Sequence, residues 1–133
     1  MSFKNILCFG TLNPDLIYFV DVLPSKGDDI RSLKSSMRPG GTAINCSELI
    51  SLWNKSVEVR GNSIGSDPMG KYLVDYLKEN NINFDGLIIN QSLTPTCSIF
   101  VDSSGERTIV SSGYEGLESV SYTHLTLPTT PYV

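Results

Sequence analysis

Along this chain the apolar positions change period several times, and each change marks an element. Asn5-Ile6-Leu7-Cys8-Phe9 is a continuous apolar run ending at Gly10, the pattern of a parallel strand buried on both faces. From Leu16 to Val22 the β-branched and aromatic residues Ile17, Tyr18, Phe19, Val20 and Val22 predict a second strand, turned at Leu23-Pro24-Ser25-Lys26-Gly27. Asp28 to Ser35 returns as a third strand, and Pro39 stops it before a Gly-Gly loop. The period then becomes helical: Leu49, Ile50, Leu52 and Trp53 are expected to point inward from a helix of about three turns, with Asn54 ending it in the left-handed conformation. Val57-Glu58-Val59 is the next strand. Asp67 caps a second helix with Pro68 at its first position, an apolar face of Leu73, Val74, Tyr76 and Leu77, and an end near Asn80-Asn81. Gly86 to Ile89 reads as a short buried strand. Thr94 to Asp102 and Glu106 to Ser111 form a hairpin around Ser103-Ser104-Gly105.

Strands alternate with helices in the middle of the chain and follow one another early and late, which predicts a parallel α/β core with an added antiparallel flap. At 133 residues and 40% hydrophobic content, one modest core is expected and no second domain fits. A net charge of -4 with scattered Lys and Arg offers no positive stripe for a phosphate backbone, so nucleic acid is excluded as a partner. No apolar run is long enough for a membrane span or a signal segment, and a cytoplasmic protein without membrane partners is expected. Cys8, Cys46 and Cys97 lie far apart without CxxC spacing, and are read as reduced, buried thiols that make neither a disulfide framework nor a metal site.

Candidate chemistry gathers in two loops. Gly40-Gly41 runs directly into the first helix, where glycine lets a ligand approach the main chain and the first helical turn presents unpaired N–H groups. Asn45 adds a side chain able to donate and accept hydrogen bonds. An ordinary Gly-Gly turn capped by Thr42 is the structural alternative. After the first strand comes Gly10-Thr11-Leu12-Asn13-Pro14-Asp15, where Pro14 keeps Asn13 extended, so that Asn13 and Asp15 face the same side. An Asx-type turn satisfying local backbone is the alternative there. Gly65 to Lys71 matches G-x-x-x-x-G-K, but Tyr72 stands where a phosphate-binding loop needs Ser or Thr, and Asp67 would bring negative charge to the phosphates. This stretch is read as a capped helix start.

The ordered motifs Gly10-x-x-Asn13-x-Asp15, Leu23-Pro24-x-x-Gly27, Pro39-Gly40-Gly41-x-Ala43-x-Asn45, Gly61-x-x-x-Gly65-x-Asp67-x-x-Gly70, Thr94-Pro95-Thr96 and Gly105-Glu106-Arg107-Thr108 resemble the start of the ribokinase-like (phosphofructokinase-B-type) carbohydrate kinases. The resemblance covers roughly residues 4 to 116. It implies the N-terminal part of a three-layer α/β/α sandwich with a small β-sheet lid, and transfer of the ATP γ-phosphate to a sugar hydroxyl with Mg2+. It also implies that Asp15, Gly41 and Asn45 hold sugar hydroxyls, that Gly40 shapes the loop and that Asn13 supports it. The lid would come from strands around residues 16 to 35 and 94 to 111, and a homodimer through lid strands is implied as well. Thr42 stands where ribokinases proper tend to have Lys, so a hexose, a keto sugar acid or a related polyol fits at least as well as ribose. The family's Gly-Ala-Gly-Asp motif, which supplies the catalytic base, and the ATP site belong to a C-terminal half that does not occur in this sequence. No catalytic, cofactor-binding or metal-binding residue is therefore assigned, and the alternative to a kinase half is a non-enzymatic fragment with at most weak sugar binding.

Residues 1 to 119 are accordingly expected to be the sugar-binding and lid part of a carbohydrate kinase domain. From Val120 to Val133 the chain has no charge, several threonines and the single histidine, His124. This tail resembles translated adaptor sequence and not the family; a natural frayed terminus is the alternative.

Overall fold

The computed structural model describes residues 6–53 and 56–113. Asn54, expected to end the first helix, and the tail from Val120, with His124, lie outside the described residues. A parallel ladder joins β1 (Ile6–Gly10) to β4 (Val57–Gly61), running from Ile6 opposite Val57 to Gly10 opposite Gly61. Between them in sequence come β2 (Asn13–Phe19), β3 (Lys34–Gly40) and α1 (Thr42–Ser51). After β4 follow β5 (Ile64–Gly65), α2 (Pro68–Glu79), β6 (Ile89–Asn90), β7 (Thr96–Val101) and β8 (Arg107–Ser112). A four-stranded sheet has the order β3-β2-β7-β8, parallel only between β2 and β7, while β5 and β6 form a short parallel pair. Gly105, at φ 85°, turns the β7–β8 hairpin.

The core lies between the β1–β4 ladder and the two helices. Cys8, Val57 and Val59 pack with Ala43 and Ile44 of α1, Leu73 and Leu77 of α2, and Ile64 and Ile82. Each fully buried aliphatic side chain there contributes about 1.5–3 kcal/mol relative to exposure. In α2 the expected face is the observed one, with Val74 and Tyr76 half-buried at its margin.

Several expectations are corrected. β1 is buried on one face only: Ile6 and Cys8 face the core, whereas Phe9 is 55% exposed beside the Glu58–Arg60 pair (2.6 Å) of β4. Helix α1 turns Ala43, Ile44 and Ser47 inward and leaves Leu52 and Trp53 74% and 65% exposed. The small Ala43 and Ser47 let the helix approach the ladder closely, and at 3.6 residues per turn Leu49 and Leu52 then fall on the far side. Strand β3 begins later than Asp28 and runs through Pro39, because β3 is an edge strand and Pro39 stands opposite Pro14, where neither residue has an N–H to donate. The strand expected at Gly86 to Ile89 is reduced to two residues, with Ile89 exposed. Of the three thiols only Cys8 is buried, where burial and the neighbouring Cys46 push it up to about 12; Cys46 is exposed and Cys97 half-buried.

Asp67 ties α2 to the four-stranded sheet. Its Oδ1 accepts from the Gly70 amide (2.8 Å) and the Thr94 hydroxyl (2.6 Å), its Oδ2 accepts from the Thr94 amide (2.9 Å), and Thr94 Oγ1 accepts from the Gly65 amide (2.9 Å). Lys71 pairs instead with Asp75 one turn on (2.5 Å), as an exposed helix-surface pair. Burial pushes the Asp67 carboxyl up, but the Thr94 hydroxyl and amide and the Gly70 and Met69 amides outweigh it and hold the group below its ordinary value. A depressed carboxyl stabilises the fold above the unfolded value of about 3.9 and loses that contribution as pH falls through the folded value. Asp67→Ala is therefore expected to lower the unfolding free energy by about 2 kcal/mol at pH 7. Urea titrations of both proteins should show this difference shrinking below about pH 4, and a constant difference down to pH 3 would refute the assignment.

Candidate functional site

The turn from β1 to β2 and the turn from β3 to α1 are locked together. Thr11 N donates to Thr42 Oγ1 (3.0 Å), Thr42 N donates to Thr11 Oγ1 (3.0 Å), and Ala43 N donates to the Thr11 carbonyl (3.1 Å). Two N–H groups of the first helical turn are thus already satisfied, which corrects the expectation that they stand free for a ligand. Thr42 is not the helix cap either: Gly41 is, without a side-chain cap, at φ 93° and ψ 157°. That backbone region is nearly closed to other residues, and a Cβ on Gly41 would also collide with the Thr11 carbonyl. On the other side of the turn, the Asn62 amide clamps Leu12, accepting from its N (2.8 Å) and donating to its O (3.0 Å).

These turns place the candidate residues around one open cleft of about 570 Å³ between the start of α1 and one face of the four-stranded sheet. Asn13, Asp15, Gly41 and Asn45 line it. Asn13 is itself 2% exposed and donates from Nδ2 to Asp15 Oδ1 (2.8 Å) and to the Pro14 carbonyl (3.4 Å). Gly40 sits behind the Asp15 carboxylate, which any Cβ there would strike. Asn45 is exposed in the first turn of α1. Burial raises the Asp15 carboxyl above its ordinary value, opposed by the hydrogen bond from Asn13 and the positive charge of Arg38, which stands opposite Asp15 on β3.

The sheet face over the cleft has a row structure set by strand register. Nearest the turns are Arg38, Asp15, Cys97 and Ser111, with Cys97 Sγ and Ser111 Oγ 3.3 Å apart. The middle row is Ser36, Ile17, Ile99 and Ile109, and the outer row is Lys34, Phe19, Val101 and Arg107. Cys97, Ile99, Arg107, Ile109 and Ser111 all line the cleft; only Arg107 falls in a motif of the sequence, Gly105-Glu106-Arg107-Thr108, and the motifs assign none of the five to the site. Their signal is the two-residue period of the hairpin, which assigns alternate residues to one face as soon as that face is known. Chemically the cleft offers a carboxylate, amides and hydroxyls at one end, an apolar strip in the middle and the Arg107 guanidinium. Among the described residues no cluster of His, Cys, Asp or Glu could hold a metal ion, and no helix is long and apolar enough to cross a membrane.

Residues 4–124 match the model of the pfkB family carbohydrate kinases, ending inside the charge-free run that begins at Val120. The chain belongs to that family. It is 30% identical over 112 residues to the ketohexokinase of Mus musculus, an alignment covering 83% of this chain and 37% of that protein. Among solved structures, the ribokinase of Thermotoga maritima superposes with a TM-score of 0.74 at 23% identity, covering 83% of this chain and 36% of that one. The ribokinase of Cryptococcus neoformans in complex with ADP superposes with a TM-score of 0.67 at 24% identity, covering 82% and 34%. The fold is thus the N-terminal part of the ribokinase fold, and the chain spans about a third of the length of the curated relatives it matches.

Gly41→Ala is expected to cost about 1–3 kcal/mol through the backbone alone. Gly105, at φ 85° with open space where a Cβ would go, is the control. Urea unfolding should show Gly41→Ala losing more stability than Gly105→Ala, and equal losses would mean that the Thr11 carbonyl yields freely.

Proposed function

We propose that this chain supplies the sugar-binding half and the lid of an ATP-dependent carbohydrate kinase. The observation that carries the reading is the convergence of Asp15, Gly41 and Asn45 on one cleft, in a chain of the pfkB family. In this reading the Asp15 carboxylate accepts two vicinal hydroxyls of the sugar, at about 1.5–3 kcal/mol for each charge-assisted bond. Asn45 supplies a donor and acceptor from the floor, Asn13 holds Asp15 in its rotamer, Gly40 leaves room for the Asp15 carboxylate and Gly41 keeps the floor free of a side chain. The four-stranded sheet is the lid, and the outer edges of β3 and β8, which pair with no further strand among the described residues, are where a second copy would pair. The protein works in the cytoplasm, where ATP is abundant and free thiols persist.

Use of ATP is supported by the ADP complex of the Cryptococcus neoformans ribokinase. The described residues of this chain do not fit ATP or Mg2+: Asp67 is consumed as a helix cap, Lys71 is paired with Asp75, and no acidic cluster is present among them. No step is assigned to either group. Phosphoryl transfer depends on positioning both substrates and neutralising charge, so turnover belongs to a polypeptide of the relatives' length, and this chain alone is a non-catalytic sugar binder.

Asp15 provides the test. If its ionised form binds sugar, affinity falls as pH falls through its carboxyl value, which burial raises above the ordinary one; the loss therefore sets in at a higher pH than for a free Asp, at about 3.9. In calorimetric titrations with fructose, Asp15→Asn should bind about tenfold more weakly at pH 7 and show little pH dependence. Unchanged affinity in that variant would overturn the site. Incubated with ATP, Mg2+ and a panel of sugars, residues 1 to 133 should release no ADP above a protein-free control, and sugar-dependent release would show a phosphoryl-transfer site in this chain.

A further inference from the structure

The sheet face over the cleft carries more positive charge than a neutral sugar uses. Asp15 is the only acid among its strand residues, against Lys34, Arg38 and Arg107. Arg38 stands directly opposite Asp15 and offsets its charge. Lys34 lies over the Phe19 ring, 5.7 Å from its centroid. Arg107, by contrast, lines the cleft with no ion pair or hydrogen bond to its side chain among the described residues. The nearby Asp102 does not neutralise it: Asp102 Oδ1 is occupied in the hairpin turn by the Ser104 amide (2.8 Å), the Ser104 hydroxyl (2.6 Å) and the Glu106 amide (3.1 Å).

Position adds to charge. Arg107 is four residues along β8 from Ser111, which shares the row of Asp15, so the two rows are about 13 Å apart at the backbone. Arg107 lines the same cleft as Asp15 and Asn45, and the apolar row of Ile17, Ile99 and Ile109 lies between the two rows. A ligand matched to this face has hydroxyls at one end, a carbon skeleton in the middle and an anion at the other end. An arginine fork suits planar carboxylate and phosphate alike, and binds both in two-pronged fashion.

We propose that the cleft takes an anionic sugar, one bearing a carboxylate or a phosphate, with its hydroxyls at Asp15 and Asn45 and its anionic group on Arg107. The assignment rests on the sugar-binding reading and adds the substrate class to it. Arg107 is in this view the residue that sets specificity.

The test is calorimetric titration of the chain with fructose, gluconate and fructose 6-phosphate at low and at moderate ionic strength. One of the two anions should bind about tenfold or more tightly than fructose, gluconate pointing to a carboxylate substrate and fructose 6-phosphate to a phosphate. That advantage should shrink with added salt in the unaltered protein, disappear in Arg107→Gln and survive in part in Arg107→Lys. Asp15→Ala should weaken all the ligands that bind. Fructose binding as tightly as both anions, or an anion preference untouched by Arg107→Gln, would overturn the proposal while the sugar-binding reading stands. Failure of all three to bind would remove both.

Discussion

Both halves of the candidate site hang on the reciprocal hydrogen bonds between Thr11 and Thr42. Asn13 and Asp15 follow Thr11 within one strand, and Gly41 and Asn45 flank Thr42 at the head of α1. Each bond contributes only about 0.5–1.5 kcal/mol net, yet with the Ala43 amide on the Thr11 carbonyl they leave that turn no freedom to drift from the helix. The conformation of Gly41 follows from the same contact, since the Thr11 carbonyl occupies the space a side chain would need. A helix N-terminus that could have been an anion site is thereby converted into a joint.

The other side of the sheet is anchored by different chemistry with the same result. Asn62 holds Leu12 through both backbone groups, and Asp67 holds Thr94 through both hydroxyl and amide. The four-stranded sheet therefore departs from the parallel ladder at points where polar side chains have taken up the backbone groups that a strand exchange would otherwise leave unpaired. Between those points the sheet has its own contacts, such as the Tyr18–Phe100 stack at 5.5 Å on the face away from the cleft.

Much of this was legible in the chain, for physical reasons that differ by element. Asp67, Pro68 and the apolar spacing from Leu73 to Leu77 specify α2 locally, because cap, first-turn proline and inner face agree. The β7–β8 hairpin is specified by Gly105 between two β-branched runs. Helix α1 misleads because its apolar residues are largest where they are exposed: Leu49, Leu52 and Trp53 outweigh Ala43 and Ser47 in hydropathy, but close approach to the ladder selects small residues. Pro39 misleads because a proline stops a central strand but not an edge strand. The pairing of Asn13 with Asp15 follows from extended spacing around Pro14. The cleft-facing set from Cys97 to Ser111 does not, since hairpin alternation alone allows either set to face inward and only the pairing of β7 with β2 selects one.

The row arrangement makes the recognition surface depend on parity. Every second residue of β7 and β8 faces the cleft, so loss or gain of one residue in β7 would exchange Cys97 and Ile99 for Ser98 and Phe100 and bring the rings of the outer face into the cleft. Overall hydropathy would hardly change, yet the bound ligand would meet a different surface. If the cleft binds as proposed, its ligand preference would shift by single-residue insertion or deletion as abruptly as by substitution, and two chains of near-identical composition would read different ligands.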